Sequence, residues 1–204
     1  MNNINSLSIK NQRKAIGILG GLLPIILIVG NYLVGNCGLP PSISDTFYSP
    51  TGMIFVIFMG SMGMFFLNDP CYTVGERIAF TIAGISAILV AMFSCNHTTS
   101  YTCVRFLIPD NAIRNLTHYI SASVFFLSLA YLCLFEFPKI THSHTHNKRI
   151  RNRIYIICGI LILCSIIAKL LGANTLLIEV TALEPFAIAF LTKGDIIYPD
   201  KKQA

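Results

Sequence analysis

Two glutamates, Glu179 and Glu184, interrupt an apolar stretch near the end of the chain, Thr175–Phe190. Glu184 lies near the middle of this stretch, where a charge in a bilayer costs about 2.5–3.5 kcal/mol on insertion scales. Pro185 follows it and cannot donate to the carbonyl of Thr181. One interpretation is a structural carboxyl that faces the bundle interior and hydrogen-bonds to Thr181 or to another helix. The other is a proton or cation site.

Glu179 lies closer to a short predicted turn near Gly172–Thr175. This turn makes the two flanking helices antiparallel neighbours, and Lys169 on the preceding helix then lies at a similar depth. The two side chains form an ion pair in one interpretation. In the other, Lys169 extends to the lipid headgroups and Glu179 lies in the hydrated interface.

Further polar residues gather at the same predicted side of the membrane. His118 and Ser121 lie one turn apart on one helical face. Two histidines and a carboxylate, here His97, His118 and Glu179, form a possible zinc ligand set, and His with Asp or Ser suits general-base chemistry. Separate segments supply these residues without ligand spacing, so hydrogen bonding at the interface is the alternative, and no catalytic residue is assigned. The candidates for a ligand pocket are Asp45, His97, His118, Ser121, Glu179 and Glu184.

A histidine-rich stretch, His142, His144 and His146, lies in a basic loop. Alternate residues point the same way only in an extended segment. Weak metal binding and a solvated loop are therefore both open.

Three of the seven cysteines, Cys37, Cys95 and Cys103, fall in predicted outer segments. Cys95 and Cys103 flank a short loop and could form a disulfide on an oxidising face. Three cysteines cannot all pair within one chain, and free apolar thiols are the alternative. The spacing is not that of a zinc ribbon.

The elements that must position these residues are membrane helices. The chain has 204 residues, 54% of them hydrophobic and 12% charged, whereas soluble domains have about 25% charged residues. Alternating apolar and polar strands, typical of outer-membrane barrels, are absent from the sequence pattern. Helices satisfy their own backbone in lipid, and a span needs roughly 20 apolar residues. The predicted spans are about Ala15–Val34, Gly52–Leu67, Ile78–Ser94, His118–Phe137, Ile154–Leu171 and Leu176–Lys193. The second is near the short limit and is expected to extend into Phe47–Pro50.

The distribution of basic residues predicts the orientation. Twelve Lys and Arg residues fall in one set of connecting segments and two, Arg105 and Arg114, in the other. The positive-inside rule therefore predicts an all-α integral membrane protein, a six-transmembrane-helix bundle with both termini in the cytoplasm. Residues 1–14 and 195–204 are predicted cytoplasmic tails, and 15–194 a single membrane domain. The net charge of +6 is read as membrane-surface charge, so lipids and not nucleic acid are the expected partners.

Glycine pairs indicate where helices approach closely. Gly17 and Gly21 form a small-xxx-small pair in the first predicted span, and Gly60 and Gly63 lie on one side of the second. Small residues let helix backbones come together in lipid, so both pairs are predicted to pack against neighbouring helices.

Several motifs carry a resemblance: "PSIS" before the second span, "IAGISAILVAMFS", "HYISASVFFLSLAYLCLF", "KRIRNRIYIICGI" and "IEVTALEPFAIAFLTKG". From about Pro41 to Gly194 the chain resembles a family of uncharacterised bacterial polytopic inner-membrane proteins of unknown function. The resemblance implies a place in the bacterial inner membrane and puts His118 and Glu179 at recurring polar positions. A fainter similarity to the membrane hydrolases that include alkaline ceramidases and adiponectin-type receptors implies His-ligated zinc, but their late paired-His motif is absent.

Three classes of function compete. The first is a non-enzymatic membrane protein with an outer-facing polar pocket for a lipid or small molecule. The second is an intramembrane hydrolase, with zinc as its possible cofactor. The third is a small proton- or ion-coupled transporter that uses Glu184.

Overall fold

The computed structural model describes residues 3–139 and 146–199, and every regular element among them is helical. A 3-10 turn, Ser44–Tyr48, precedes the second α-helix, and a π-helical segment, Leu132–Glu136, extends the fourth. His142, His144, Lys201 and Lys202 lie outside the described residues, and His146 is an exposed residue at the start of a helix. The helices are α1 (Asn3–Gly35), α2 (Gly52–Leu67), α3 (Val74–Met92), α4 (Ala112–Tyr131), α5 (His146–Leu170) and α6 (Thr175–Lys193).

Five of the six helices are long and apolar enough to cross a membrane. The prediction of an all-helical multi-pass membrane protein is confirmed at this level. The exception is α2, an apolar helix of 16 residues. At 1.5 Å per residue it is about 24 Å long, against a hydrocarbon thickness of about 30 Å. A sixth complete span and the placement of the termini therefore stay predictions.

The helices form a ring in chain order. Each helix packs beside the next, and α6 closes the ring against α1. Because successive helices alternate in direction, their connections collect at two ends. One end carries a disulfide between Cys37 and Cys103 and is called the disulfide end. It comprises residues 36–51, 93–111 and 171–174. The basic end comprises residues 68–73, 137–139 and 194–199 with the start of α1.

The first helix begins well before the predicted first span. It starts at Asn3, whereas the sequence predicted a polar tail up to Lys14. Ile9 and Arg13 are buried against the bundle, and Lys10 forms an ion pair with Asp195. The segments read as tails thus supply packed residues at the basic end, because their polar side chains have partners on other helices.

Phenylalanines fill the middle of the bundle. Their ring centroids lie 4.8–6.3 Å apart, and most pairs meet edge to face, the arrangement that aromatic quadrupoles favour. The rings belong to four different helices, so this aromatic cluster joins most of the ring of helices. Its members are Phe66, Phe80, Phe125, Phe186 and Phe190, all fully buried.

Close glycine packing is present at three of the four predicted positions. A methyl group at Gly17 or Gly21 would press on Leu191 or Ala187 of α6. At Gly63 it would lie 2.9 Å from the carbonyl oxygen of Gly84 on α3, which shows that the two backbones are in contact. The prediction is wrong for Gly60, which has no neighbouring atom within 4 Å of that position.

Candidate functional site

Asp45 forms the centre of a polar group at the disulfide end. Its carboxylate accepts hydrogen bonds from the Ser42 hydroxyl (3.1 Å) and from the amide and hydroxyl of Thr98 (3.0 and 2.7 Å). His97 Nδ1 lies 3.7 Å from the same carboxylate, and its Nε2 lies 2.9 Å from the carbonyl oxygen of Tyr101. Asp45 thereby ties the segment before α2 to the segment after α3.

A disulfide joins the same two segments, but with a different pairing from the one considered from sequence. Cys37 pairs with Cys103, while Cys95 is buried and free. Burial raises the pKa of the Cys95 thiol to about 12, which keeps it in the unreactive protonated form. The spacing argument favoured Cys95 and Cys103 because they are near in sequence. The fold instead brings residues 36–51 back across the end of the bundle.

Glu179 binds the segment before α2 and not Lys169. Its carboxylate accepts hydrogen bonds from the Ile43 amide (2.5 Å) and the Ser44 hydroxyl (3.0 Å). The Lys169 ammonium donates to the Thr175 hydroxyl (2.5 Å), and among the described residues no ion pair joins it to Glu179. Lys169 is exposed at the end of α5, and its extension to the lipid headgroups stays a prediction.

His118 and Glu179 line one lateral cleft of about 120 Å³ between α4, α5 and α6. His118 is buried, and its Nδ1 lies 2.7 Å from the carbonyl oxygen of Phe93. A carbonyl oxygen can only accept a hydrogen bond, so the Nδ1 atom of His118 is the donor and carries a proton. We call this space the lateral cleft. The residues that line it include His118, Ala122, Phe126, Lys169, Glu179 and Ala182.

Ser121 and Glu184 lie outside the lateral cleft. Ser121 is buried on α4. Glu184 faces α1, where a methyl group at Gly21 would be 3.8 Å from its Oε2. Among the described residues no hydrogen bond joins Glu184 to the expected acceptor, the carbonyl of Thr181. The Thr181 hydroxyl itself pairs with the Ser165 hydroxyl (3.1 Å) and donates to the carbonyl oxygen of Ile178 (3.1 Å). The role of Glu184 as a transport site stays a hypothesis.

The predicted polar cluster therefore divides into two. Asp45 and His97 form one group, His118 and Glu179 line the lateral cleft, and the segment Ile43–Asp45 connects them. Across residues 3–139 and 146–199, no three His, Cys, Asp or Glu side chains come together as a metal-ligand group. Zinc bound by His97, His118 and Glu179 stays a hypothesis. His118 and Glu179 line the lateral cleft, whereas the third predicted ligand, His97, lies beside Asp45.

Sequence reasoning missed a buried charged group at the basic end. Arg13 donates to both carboxylate oxygens of Asp69 (3.1 and 2.8 Å) and lies 3.0 Å from Glu76. All three side chains are buried. The only signal was a pair of acidic residues in the short "NDPCYTVGER" turn opposite a basic N-terminal segment. Charges near the ends of spans are usually solvated, so nothing in the pattern singled these three out.

Fold and site together define an all-helical, multi-pass membrane protein. Comparison of the chain with protein-family models, with curated proteins and with solved structures finds no match in any of the three. Any assignment of function therefore depends on the geometry of this chain alone.

Proposed function

We propose that this protein binds a phospholipid in the lateral cleft. The observation that carries the proposal is the order of groups along the cleft. The Lys169 ammonium lies at the end of the helices, Glu179 and His118 lie about one turn deeper, and Phe126 and Ala182 follow. A phospholipid presents its phosphate, its glycerol esters and its acyl chain in the same order.

The surroundings of the lateral cleft favour lipid over a soluble ligand. Large side chains that line it are exposed, including Tyr119 and Leu170. In a membrane-spanning region such side chains face acyl chains. The volume of about 120 Å³ equals about four water volumes at roughly 30 Å³ each. The cleft therefore holds a segment of one lipid, and the remainder lies along α4 and α5.

Two independent features support the predicted orientation. The Cys37–Cys103 disulfide requires an oxidising compartment. The excess of Lys and Arg in the other connecting segments favours the cytoplasm for the basic end. In a bacterial inner membrane, which the motif resemblance favours, the lateral cleft would then face the outer leaflet.

A reporter fused after Ala204 tests this orientation. We expect a fusion that is active only in the cytoplasm to function there, because both described ends of the chain lie at the basic end. A fusion inserted after Arg105, at the disulfide end, is the control and should show the opposite response. Activity of a periplasmic reporter at Ala204 would contradict the proposed orientation.

Native mass spectrometry of the detergent-purified chain tests lipid binding. With added phosphatidylglycerol we expect Lys169→Gln and Ala122→Leu to retain roughly five- to tenfold less lipid than the unaltered chain. The first loses the charge-assisted phosphate contact and the second fills the cleft. Arg105→Gln removes an exposed charge at the same end and should behave like the unaltered chain. Equal lipid retention in all four proteins would refute the proposal.

Hydrolysis is the second candidate, because His118 and Glu179 line the same cleft. Catalytic zinc usually has three protein ligands and a water, and two candidate ligands are present. Metal analysis of the purified chain separates the candidates. Stoichiometric zinc that disappears in His118→Ala would favour a hydrolase over a binding protein.

A further inference from the structure

A second cavity, of about 380 Å³, opens at the basic end of the bundle. We call it the basic cleft. It lies among the start of α1, the segment before α3, the end of the π-helical segment, α5 and the end of α6. The charged side chains that line it are Lys10, Arg13, Glu76, Glu136, Lys139, Arg151, Lys193 and Asp195.

Four of the five cations in the basic cleft have carboxylate partners. Arg13 pairs with Asp69 and Glu76, Lys139 with Glu136, and both Lys10 and Arg151 with Asp195. With Asp69 included, the described residues supply four carboxylates to these five cations, one fewer than the number of cations. Of the five cations that line the basic cleft, Lys193 is the one with no carboxylate within 4 Å among the described residues.

Lys193 lies half-buried at the end of α6. Its ammonium is 3.4 Å from the carbonyl oxygen of Phe137 and lies 5.0 and 5.8 Å from the ring centroids of Phe137 and Tyr155. A carbonyl and two ring faces satisfy an ammonium only in part, because none carries a full negative charge. An anion that enters the basic cleft would complete the charge balance at this position.

We propose that the basic cleft binds the phosphate group of an organic phosphate at Lys193. Arginine recognises carboxylates and phosphates with its planar fork, whereas lysine binds phosphate as a point charge. Both arginines of the cleft, Arg13 and Arg151, already face protein carboxylates. The remaining cation is Lys193, and a phosphate oxygen can take the place of the carboxylate partner that the other four cations have.

The size of the basic cleft favours a phosphate ester over the free ion. Its volume of about 380 Å³ corresponds to about a dozen water volumes at roughly 30 Å³ each. Inorganic phosphate has five non-hydrogen atoms and would leave most of this space empty. The ester group can come from a soluble phosphate or from a lipid headgroup, since the cleft opens where the helices end.

The test measures binding of glycerol 3-phosphate and of phosphatidylglycerol to the detergent-purified chain, by thermal shift for the first and native mass spectrometry for the second. We expect at least one to bind the unaltered chain, with affinity reduced about tenfold or more in Lys193→Gln. Lys193→Met keeps the length and ring contacts of the side chain and serves as a second variant if the first does not fold. Arg153→Gln, which removes an exposed charge at the same end, is the matched control.

The outcomes distinguish a soluble phosphate ester from a lipid headgroup, and binding at the basic cleft from binding at the lateral cleft. A thermal shift with glycerol 3-phosphate that is lost in the Lys193 variants supports a soluble ester. Loss of one bound phosphatidylglycerol in those variants, with the Lys169-dependent lipid retained, supports a lipid headgroup. If neither probe binds, or if the Lys193 variants bind as the unaltered chain does, the proposal is overturned, whatever the result at the lateral cleft.

Discussion

Arg13→Met is expected to lower the free energy of unfolding by about 3–5 kcal/mol, the usual cost of removing one partner from a buried ion pair. Arg13, Asp69 and Glu76 are all buried, with exposed fractions of 1%, 0% and 2%. Without the guanidinium, two carboxylates 3 Å or so from its former position lose their charge partner. Reversible unfolding in mixed detergent micelles measures the effect, together with the yield of monodisperse protein.

Two further variants show whether the charge network is the cause. Arg77→Met removes an exposed cation from the same end and should change the free energy of unfolding by less than about 0.5 kcal/mol. Adding Asp69→Asn and Glu76→Gln to Arg13→Met should recover much of the lost stability, because no unpaired charge then remains buried. If the triple variant is as unstable as Arg13→Met, lost packing explains the effect better than lost charge pairing.

Gly63→Leu is expected to have the second largest effect, a loss of roughly 3 kcal/mol or more in the free energy of unfolding. Overpacking usually costs about 1–3 kcal/mol, and here the first added atom already meets backbone. A Cβ at Gly63 would lie 2.9 Å from the carbonyl oxygen of Gly84 and 2.6 Å from a side-chain carbon of Ile88. The α2 and α3 backbones would have to separate.

Gly60→Leu is the matched control on the same helix. A Cβ at Gly60 has no neighbour within 4 Å, so a leucine there should point to lipid with little cost and should add helix propensity. Thermal unfolding of both variants in one detergent compares them directly. Similar destabilisation by both substitutions would show that helix propensity or membrane insertion, and not contact between α2 and α3, determines the stability of these variants.

The spans were predictable because their signal is local. Runs of apolar residues such as those of α3 and α6 must be helical in lipid, whatever their neighbours are. Helix ends were predicted less well: α1 extends back to Asn3, since Ile9 and Arg13 find partners on other helices. The bounds Gly52–Leu67 agree with α2, but the expected extension into Phe47–Pro50 is wrong, because Ser44–Tyr48 forms a separate 3-10 turn. The 16 residues of α2 leave a complete crossing untested.

The candidate site was predictable in its residue types but not in its grouping. Depth along a helix follows from residue count, which placed His118 and Glu179 at one level. The direction that each side chain takes around its helix depends on which helices are neighbours. Only the closed ring of helices decides that Glu179 faces the lateral cleft while Glu184, on the same helix, faces α1.

The sequence alone determined that this chain is an apolar, helical, multi-pass protein with an uneven distribution of basic residues, because composition and periodicity are properties of short segments. Tertiary structure alone decided that Cys37 pairs with Cys103, that Arg13 is buried between Asp69 and Glu76, and that Lys193 has no carboxylate partner among the described residues. These contacts join residues far apart in the chain. Their formation depends on how the ring closes, and no local pattern of residues encodes that arrangement.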